Sequence, residues 1–374
     1  MDKISTEILI VGGGVVGLAI ARQLSAFGHE AILIEKNNYL AEEVSARNSG
    51  VVHGGFYYPK DSLKSMLCNK GNKRLYEFCH ERKIPIKKTG KLLLGNSNED
   101  LQKINQYIEN ARHYGGEPLT IINKETLKDI EPNIQSSFAM LSPETGIIDA
   151  YEFCQSLANE FQSLGGHLSL RTEFKNFKKI DNFFVSKVAT EDNNFLIQSR
   201  FLICATGLHS YDLPQKWDFQ INNLKKLNYS KGHYFKLKGS SPFNHLIYPM
   251  PTLYGLGIHA GFDFDGSVRF GPDTELVTEL DYSFDSKLKD KFINAIRLYY
   301  PSIQDDDLIE DYVGIRPKIQ SPTENFADFS ILNSKDHKID NFLYLQGIES
   351  PGLTCSLMLA EYIYNNLLKL QRVS

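Results

Sequence analysis

The sequence predicts an α/β fold in which a doubly wound parallel-sheet domain is interleaved with a domain built from an antiparallel β-sheet and helices. Three observations predict it. Residues 8–35 show a strand, a glycine-rich turn, a helix and a second strand in succession. Residues 226–270 contain short β-rich runs interrupted by glycine and proline, which is typical of an antiparallel sheet. The apolar run 342–347 then returns to the pattern of a buried parallel strand.

The first of these stretches has the spacing of a dinucleotide-binding motif. An apolar run, Ile8–Val11, leads into a Gly-x-Gly-x-x-Gly turn formed by Gly12, Gly14 and Gly17. Gly12 permits the tight turn, Gly14 lets the backbone approach a pyrophosphate, and Gly17 allows the helix to pack close to the strand. The second strand ends in Glu35, whose carboxylate can accept hydrogen bonds from ribose hydroxyls. Because the helix N-terminus attracts phosphate, the motif predicts a Rossmann-like domain that binds an ADP-containing cofactor.

The same region favours FAD as that cofactor. Glu35 disfavours the 2′-phosphate of NADP, which would be expected to meet a basic group there. The segment 46–58, after the second strand, is irregular and rich in small residues, with Gly54 and Gly55 beside His53. Such a segment is typical of a loop lying along an extended cofactor, and the glycine pair favours close approach of backbone to a flat ligand. FAD is therefore predicted, with NAD as the alternative.

Composition and charge exclude several classes of function. The net charge of −4 gives no general attraction to nucleic acid, and no nucleic-acid-binding motif occurs. No apolar run approaches the length of a membrane span, and no signal-peptide core precedes Gly12. The five cysteines form no Cys-x-x-Cys pair, so neither a metal site nor a disulfide framework is expected. These features predict a cytoplasmic protein. Lysine clusters such as 87–91 are interpreted as solvated, with weak peripheral contact to the inner membrane face as the alternative.

The remaining segments alternate between helical and strand patterns. Apolar residues at helical spacing predict helices over 62–83, 99–114 and 151–164, the last two followed by glycine pairs that end a helix. A buried strand is expected to close on residues 205–207 near the cofactor, and a terminal helix is expected over 354–369. The predicted FAD-binding domain comprises residues 1–88, 145–225 and 325–374, and the predicted substrate domain comprises residues 89–144 and 226–324.

Eight segments carry a family resemblance: residues 12–17, 47–64, 90–92, 247–249, 257–259, 266–268, 271–272 and 350–354. Together they resemble the L-2-hydroxyglutarate dehydrogenase/oxidase family. That family belongs to a larger group of FAD oxidoreductases that includes D-amino acid oxidase, glycine oxidase and FAD-dependent glycerol-3-phosphate dehydrogenase. The resemblance runs from the first strand to the last helix, and its most specific part extends from Asn48 to Tyr58.

The resemblance implies FAD, a two-domain fold and oxidation of a small anionic alcohol or amine. It also implies that the N-terminus of the terminal helix points at N1/O2 of the flavin. Two departures concern the substrate. Residues 314–318 look more like the Gly-Leu-Arg-Pro motif of the amine-oxidising relatives, and Ile348 and Glu349 stand where the hydroxyglutarate enzymes carry small residues. Glycerol-3-phosphate and a glycine-type amino acid are therefore alternative substrates. Quinone, oxygen or a carrier protein could be the electron acceptor.

The motif, the loop and the resemblance together give the predicted cofactor-binding residues. Non-covalent binding is expected, although some relatives attach FAD through a histidine at a position that resembles His53. The predicted residues are Gly12, Gly14, Val15, Val16, Gly17, Glu35, Lys36, Ser45, Arg47, Asn48, Ser49, Gly50, Val52, His53, Ala205, Thr206, Gly207, Gly347, Gly352, Leu353 and Thr354.

Flavin-dependent oxidation of a 2-hydroxy acid needs a base for the hydroxyl proton and an anchor for the carboxylate, while a hydride passes to N5. Arg316 suits the anchor because a planar guanidinium can bind a carboxylate with two hydrogen bonds. His53 and His259 are candidate bases, since imidazole titrates near neutral pH. A scaffold protein that held flavin without turnover would not need both a carboxylate anchor and a base, so the presence of candidates for both favours an enzyme. We expect oxidation of a small 2-hydroxy acid, L-2-hydroxyglutarate or a close relative. Further candidates for substrate binding are Tyr57, Lys231 and Tyr248.

Overall fold

The computed structural model describes residues 3–113, 115–116, 118–217, 219–251, 257–321 and 324–368. The chain forms two compact units, each assembled from separate segments. The first comprises Met1–Ala46, Ala150–Asn228 and Pro317–Ser374, and the second comprises Arg47–Asp149 and Tyr229–Arg316.

The units divide the chain differently from the predicted domains at residues 47–88. These residues were assigned to the FAD-binding domain, and the structure includes them in the second unit. The strands at 51–52 and 86–88 both pair with the strand at 146–148, which was also assigned to the FAD-binding domain and also lies in the second unit.

The helices and strands are numbered in chain order. The α-helices are α1 (Val15–Ala26), α2 (Leu63–Arg82), α3 (Asn98–His113), α4 (Lys124–Ile130), α5 (Ala150–Ser163), α6 (Lys289–Arg297), α7 (Ser334–His337) and α8 (Gly352–Ile363). The strands are β1 (Lys3–Val11), β2 (Ala31–Ile34), β3 (Val51–Val52), β4 (Ile86–Lys88), β5 (Lys91–Gly95), β6 (Thr120–Asn123), β7 (Phe138–Ser142), β8 (Gly146–Ile148), β9 (His167–Ser169), β10 (Glu173–Ile180), β11 (Phe183–Ala189), β12 (Asn194–Cys204), β13 (Asn228–Leu237), β14 (Leu246–Tyr248), β15 (Ala260–Phe262), β16 (Val268–Phe270), β17 (Glu275–Val277), β18 (Leu308–Lys318), β19 (Ser330–Leu332) and β20 (Phe342–Gln346).

A largely parallel sheet forms the core of the first unit, as predicted. Its parallel strands lie in the order β20, β12, β1, β2 and β9. Val11, the last residue of β1, pairs with both Ile34 and Cys204, so three strands end at the same edge. Ligands of open α/β sheets bind beyond the carboxyl ends of such strands. This register therefore brings Gly12, Glu35 and the segment after Cys204 to one edge.

The second unit is built on a nine-stranded sheet. Its main path runs β17-β13-β16-β15-β14-β5-β7-β6, with β18 paired to β13, and most of the recorded pairings are antiparallel. Phe235 and Phe270 from the sheet pack with Phe292 and Ile296 of α6 in a buried apolar core. A smaller sheet, β3-β8-β4, lies in the same unit. The predicted antiparallel sheet with helices is therefore confirmed.

The predicted helices agree with the structure to within one or two residues. Ser62 precedes α2 and its hydroxyl accepts a hydrogen bond from the Ser65 N–H at 3.1 Å, which is the expected N-cap contact. Lys83 ends the same helix in the left-handed conformation, with φ of 57°. The terminal helix begins at Gly352 instead of Thr354, and Lys369, its predicted end, lies outside the described residues.

Across the described ranges, no helix is both long and apolar enough to cross a membrane. The five cysteines are buried, and none of them forms a disulfide. The same ranges contain no cluster of three or more histidine, cysteine, aspartate or glutamate side chains that could hold a metal ion.

Candidate active site

The glycine-rich turn of the first unit leaves no room for side chains at two positions. Gly12 has φ of +111°, and a Cβ there would overlap the carbonyl oxygen of Ala205. A Cβ at Gly17 would overlap the carbonyl oxygen of Gly12. A Cβ at Gly14 would meet only the Ser45 hydroxyl, at 3.2 Å. The first two glycines therefore shape the turn, while at Gly14 an added Cβ would press only on the Ser45 hydroxyl.

Glu35 is held rigidly beside this turn. Its side chain is only 8% exposed, and its two carboxylate oxygens accept hydrogen bonds from different backbone groups. The Gly13 N–H donates to Oε2 at 2.6 Å, and the Asn37 N–H donates to Oε1 at 2.9 Å. Because each carboxylate oxygen has a further lone pair, Glu35 can still accept hydrogen bonds from a ribose.

Ser45 caps α1 from a distant part of the chain. Gly14 is the N-cap residue and has no side chain to accept a hydrogen bond. The Ser45 hydroxyl accepts one from the Val15 N–H at 3.0 Å. The remaining N–H groups of the first helical turn, at Val16 and Gly17, belong to the region that attracts phosphate in a helix.

The glycine-rich turn, Glu35 and Ser45 line one cleft in the first unit. The space inside this cleft, including the part that is open to solvent, is about 980 Å³. The cleft has the carboxylate, the glycine turn and the helix start that an ADP moiety requires, so its residues fit the adenosine side of FAD. The predicted residues that line it are Gly12, Gly14, Glu35, Lys36, Ser45, Ala205, Thr206 and Gly207.

Two residues of this cleft, Glu43 and His209, were not predicted. Glu43 Oε1 lies 3.0 Å from Lys36 Nζ and 2.8 Å from His209 Nε2. Burial would raise the pKa of Glu43, but the hydrogen bond and charge of His209, with Lys36, lower it to about 2. The carboxylate therefore stays charged and holds both side chains at the cleft wall. No local sequence signal links residues so far apart.

The other predicted cofactor-binding residues lie outside this cleft. In the first unit, Gly347 follows β20 with φ of +63°, where a Cβ would lie 2.6 Å from Ile319 Cγ1. Gly352, Leu353 and Thr354 form the start of α8. Val15 and Val16 form the start of α1.

The predicted loop residues of the second unit are fixed by that unit's own polar groups. Arg47 donates to the Val313 carbonyl at 3.3 Å, and the Asn48 side chain accepts from the Gly50 N–H at 2.8 Å. The Ser49 hydroxyl lies 2.8 Å from that of Tyr234. Val52 belongs to β3, directly before His53.

The two candidate bases of the second unit are close enough to influence one another. Burial, together with the Lys91 charge and His259, lowers the pKa of His53 to about 3. Burial also lowers the pKa of His259 to about 3, with smaller contributions from Lys91 and Arg316. The His259 ring stacks on Tyr248, with centroids 4.0 Å apart. Both imidazoles are therefore neutral at physiological pH.

Arg316 is held in place by neutral oxygens. Its Nε–H donates to the Ser230 carbonyl at 3.4 Å. Its Nη2 donates to the Asp273 carbonyl at 3.0 Å and to the Thr274 hydroxyl at 3.3 Å. In the described part of the chain, no carboxylate lies within ion-pair distance of Arg316 and Nη1 donates to no protein acceptor. The guanidinium is thus oriented while its charge remains available to an anion.

The other predicted substrate-binding residues are placed differently. Lys231 is 4% exposed, and its ammonium forms an ion pair with Asp281 at 2.9 Å, so its charge is already compensated. Tyr248 is 1% exposed and lies against His259. Tyr57 packs against Phe56, with ring centroids 4.3 Å apart. Tyr248 therefore lies beside His259, Tyr57 belongs to an aromatic cluster with Phe56, and Lys231 belongs to a separate ion pair.

The sequence of this chain was compared with family models and with known proteins. Residues 7–365 match the family model described as FAD dependent oxidoreductase. A mitochondrial L-2-hydroxyglutarate dehydrogenase from Arabidopsis thaliana is 33% identical, over 98% of this chain and 84% of its own length. A glycerol 3-phosphate dehydrogenase from Caloramator mitchellensis is 26% identical, over 96% of this chain and 73% of its own length.

Solved structures share the fold. L-alpha-glycerophosphate oxidase from Mycoplasma pneumoniae, with FAD bound, has a TM-score of 0.84 at 22% identity, covering 96% of this chain and 93% of its own. Glycine oxidase from Geobacillus kaustophilus has a TM-score of 0.81 at 16% identity, covering 99% of this chain and 96% of its own. At these identities the likeness shows the common fold.

Proposed function

We propose a reaction for this chain from one premise: it belongs to the family of FAD-dependent oxidoreductases. The proposed reaction is oxidation of a small 2-hydroxy acid, with L-2-hydroxyglutarate as the first candidate. The observation that carries it is the oriented, uncompensated guanidinium of Arg316 in the same unit as two neutral histidines. Support for the named substrate comes from the relative that is 33% identical.

Each group has a distinct task in this proposal. When bound, FAD supplies the hydride acceptor at N5 of its ring system. Arg316 binds the substrate carboxylate next to the reacting carbon. His53 or His259 accepts the hydroxyl proton, which each can do because burial keeps its imidazole neutral. His259 is buried against the Tyr248 ring, and in such surroundings of low polarity the attraction between guanidinium and carboxylate is stronger than in water.

Oxidation of glycerol-3-phosphate is the second candidate function. The relative from Caloramator mitchellensis, named as a glycerol 3-phosphate dehydrogenase, supports it. Arg316 could bind a phosphate as it binds a carboxylate, because both anions accept two parallel hydrogen bonds from a guanidinium. The position of the hydroxyl group relative to the anion distinguishes the two substrates.

A substrate screen separates these candidates. Under anaerobic conditions, L-2-hydroxyglutarate should bleach the enzyme-bound flavin, and its D-enantiomer, glycerol-3-phosphate and glycine should do so at least about 100-fold more slowly. Stopped-flow absorbance at the flavin band measures each rate. Rapid bleaching by glycerol-3-phosphate or glycine, with none by L-2-hydroxyglutarate, would replace the proposed substrate.

Flavin retention tests the cofactor cleft by itself. The purified protein should be yellow and release one equivalent of FAD on acid precipitation, since we propose non-covalent binding. Gly14→Val should abolish retention because its side chain would take the space that the pyrophosphate of the cofactor needs and would press on the Ser45 hydroxyl. Gly28→Asn is the matched control: Gly28 has φ of +81° with no atom within 4 Å of an added Cβ, and asparagine tolerates that conformation. Flavin that remains in the precipitate would contradict non-covalent binding, and equal retention by both variants would contradict the cleft assignment.

The cytoplasmic location also stays a proposal. Its support is the absence of any cysteine pairing among five buried thiols, which suits a reducing compartment. The Arabidopsis thaliana relative is named as mitochondrial, and a mitochondrial matrix would satisfy the same chemistry.

A further inference from the structure

A short segment beside Arg316, residues 271–274, forms a bulge in the pairing of β13. Phe235 of β13 pairs with Phe270 of β16, and Lys231 of β13 pairs with Glu275 of β17. Between these two pairs, residues 232–234 of β13 lie opposite residues 271–274, so one side has a residue more than the other. Such a bulge interrupts the strand ladder and redirects the groups within it. The segment therefore depends on contacts other than the ladder.

The Asp273 carboxylate supplies those contacts. Its Oδ1 accepts a hydrogen bond from the His233 backbone N–H at 2.9 Å and lies 3.0 Å from His233 Nδ1. Its Oδ2 accepts one from Lys291 Nζ of α6 at 2.6 Å. Burial would raise the pKa of Asp273, but the hydrogen bonds of His233 and Lys291 lower it to about 2, so the carboxylate stays charged. One buried side chain is thus fixed to both a strand and a helix.

The backbone of the same residue orients Arg316. The Asp273 carbonyl accepts a hydrogen bond from Nη2 of Arg316 at 3.0 Å. Gly232 lies close to this contact, since a Cβ there would be 2.5 Å from Pro272 Cβ, 3.0 Å from the Asp273 carbonyl oxygen and 3.4 Å from Arg316 Nη2. The chain has no space for a side chain at this point, so a small shift of the segment would move the carbonyl relative to the guanidinium.

Asp273 connects the two faces of β13. Successive side chains of a strand point to opposite faces. Position 232 lies next to Arg316, whereas the His233 ring lies 5.3 Å from that of Phe284, and Phe235, two residues on, packs against Phe292 of α6. The carboxylate of Asp273 is therefore held on the α6 side, and its carbonyl reaches Arg316 on the other. Lys291 offsets the negative charge of the carboxylate on the α6 side.

We propose that Asp273 is a positioning residue for substrate binding: its carboxylate, fixed by His233 and Lys291, places the carbonyl that orients Arg316. This inference rests on the proposed function and deepens it, because Arg316 is there the anchor of the substrate carboxylate. Asp273 itself does not touch the substrate. Its loss should weaken binding in the ground state and the transition state alike, so the apparent affinity should fall while the limiting rate of flavin reduction changes little.

Carboxylate binding to the flavin-containing enzyme tests the proposal without turnover. Isothermal titration calorimetry with glutarate, an unreactive carboxylate, should show binding at least about tenfold weaker in Asp273→Ala than in the parent enzyme. Anaerobic reduction by L-2-hydroxyglutarate should show a similar loss of apparent affinity, with a limiting rate within about threefold of the parent. Parent-like affinity in Asp273→Ala would overturn the proposal, as would a large fall in limiting rate at unchanged affinity.

Conservative variants separate the two contacts of the carboxylate. Asp273→Asn keeps an acceptor for His233 and loses the contact with Lys291, and Lys291→Met removes the same contact from the helix. Both should weaken glutarate binding by about two- to fivefold, less than Asp273→Ala. Lys291→Arg should bind like the parent because it keeps the charge. Lys289→Met is the matched control from the same helix and should also bind like the parent.

A double-mutant cycle distinguishes positioning from a general packing defect. In an Arg316→Ala background, Asp273→Ala should change glutarate binding less than about twofold, because no guanidinium remains to be oriented. A packing defect would weaken binding by the same factor in both backgrounds, and that result would overturn the role of Asp273 while the role of Arg316 stands. If Asp273→Ala fails to fold, Lys291→Met takes its place in the cycle, since Lys291 is half-exposed.

Failure of the proposed function has a different signature. Parent-like glutarate binding in Arg316→Ala would overturn the anchor and, with it, the positioning role. If instead no 2-hydroxy acid bleaches the flavin, the proposed reaction falls. The cycle with glutarate would then still support Asp273 as the residue that positions Arg316 for an anion.

Discussion

Arg316→Ala should weaken binding of every carboxylate substrate by roughly 2–4 kcal/mol, which corresponds to about 30-fold to several hundred-fold in Kd. The reason is that Arg316 is held by the Ser230 and Asp273 carbonyls and the Thr274 hydroxyl, so removal leaves the substrate carboxylate without its partner. Arg316→Lys keeps a charge and loses the planar group that these oxygens orient. It should be impaired less than Arg316→Ala.

Anaerobic flavin reduction at rising substrate concentration measures the effect. Flavin content should stay at the parent level in both variants, because the cofactor cleft described above is formed by residues of the first unit. Arg297→Ala is the matched control: Arg297 pairs at 2.7 Å with the exposed Asp305, and exposed pairs contribute about 1 kcal/mol or less. If Arg316→Ala keeps a near-normal apparent affinity for each substrate that reduces the flavin of the parent enzyme, then Arg316 is not the residue that binds the substrate carboxylate.

Acidification should destabilise the protein between pH 6.5 and about 4.5, before most carboxylates titrate. His53 and His259 have pKa values of about 3 in the folded protein, well below the ordinary 6.5, mainly because of burial. A lowered histidine pKa means that the unfolded chain binds more protons below pH 6.5. The stabilisation is therefore fully present above pH 6.5 and is lost as the pH falls towards 3, at up to about 1.4 kcal/mol per pH unit for each histidine.

Thermal unfolding at a series of pH values tests this expectation. His53→Gln and His259→Gln should each lower the dependence of unfolding free energy on pH in that window, and the double variant should lower it most. His337, whose pKa is also lowered by burial, keeps contributing in all of them. Below about pH 4.5 the lowered pKa values of Glu43 and Asp273, each about 2, add a second loss. If the unfolding free energy of the double variant depends on pH above 4.5 as steeply as that of the parent protein, then the fold does not keep the two histidines neutral.

The first unit was predictable because its signals are local. Gly12, Gly14, Gly17 and Glu35 are spaced by the geometry of one β-α-β unit, and each has a steric or hydrogen-bonding role that follows from its residue type. The contact between Glu43 and His209 spans 166 residues and has no such spacing. It depends on how the parallel sheet brings distant loops together.

In the second unit, the sequence did not predict which groups surround the charged side chains. A lysine in a sequence is expected at the surface, and nothing in the sequence indicated that Lys91 would lie near Phe56 and Tyr57 of a loop and Tyr248 of another strand. Lys231 was predicted as a candidate for substrate binding. In the structure it lies beside Asp281, which is 50 residues further along the chain. The charge state of a site depends on such distant partners. Residue types indicated the chemistry of the site, whereas the tertiary fold determines which positively charged side chain has a carboxylate beside it.

The interleaved order of segments has a consequence for how the protein is made. The parallel sheet of the first unit includes β20, and α1 packs against α8. The first residues of the chain therefore cannot complete their contacts until residues 342–363 have been synthesised. On a ribosome that adds about 5–20 residues each second, this delay lasts roughly 15 s to about a minute. During it, apolar surfaces of β1 and α1 are exposed to aggregation or to chaperones. Synthesis that stops just after residue 316 would yield strands β13–β17 and still leave α1 without α8, although α5 would already be present.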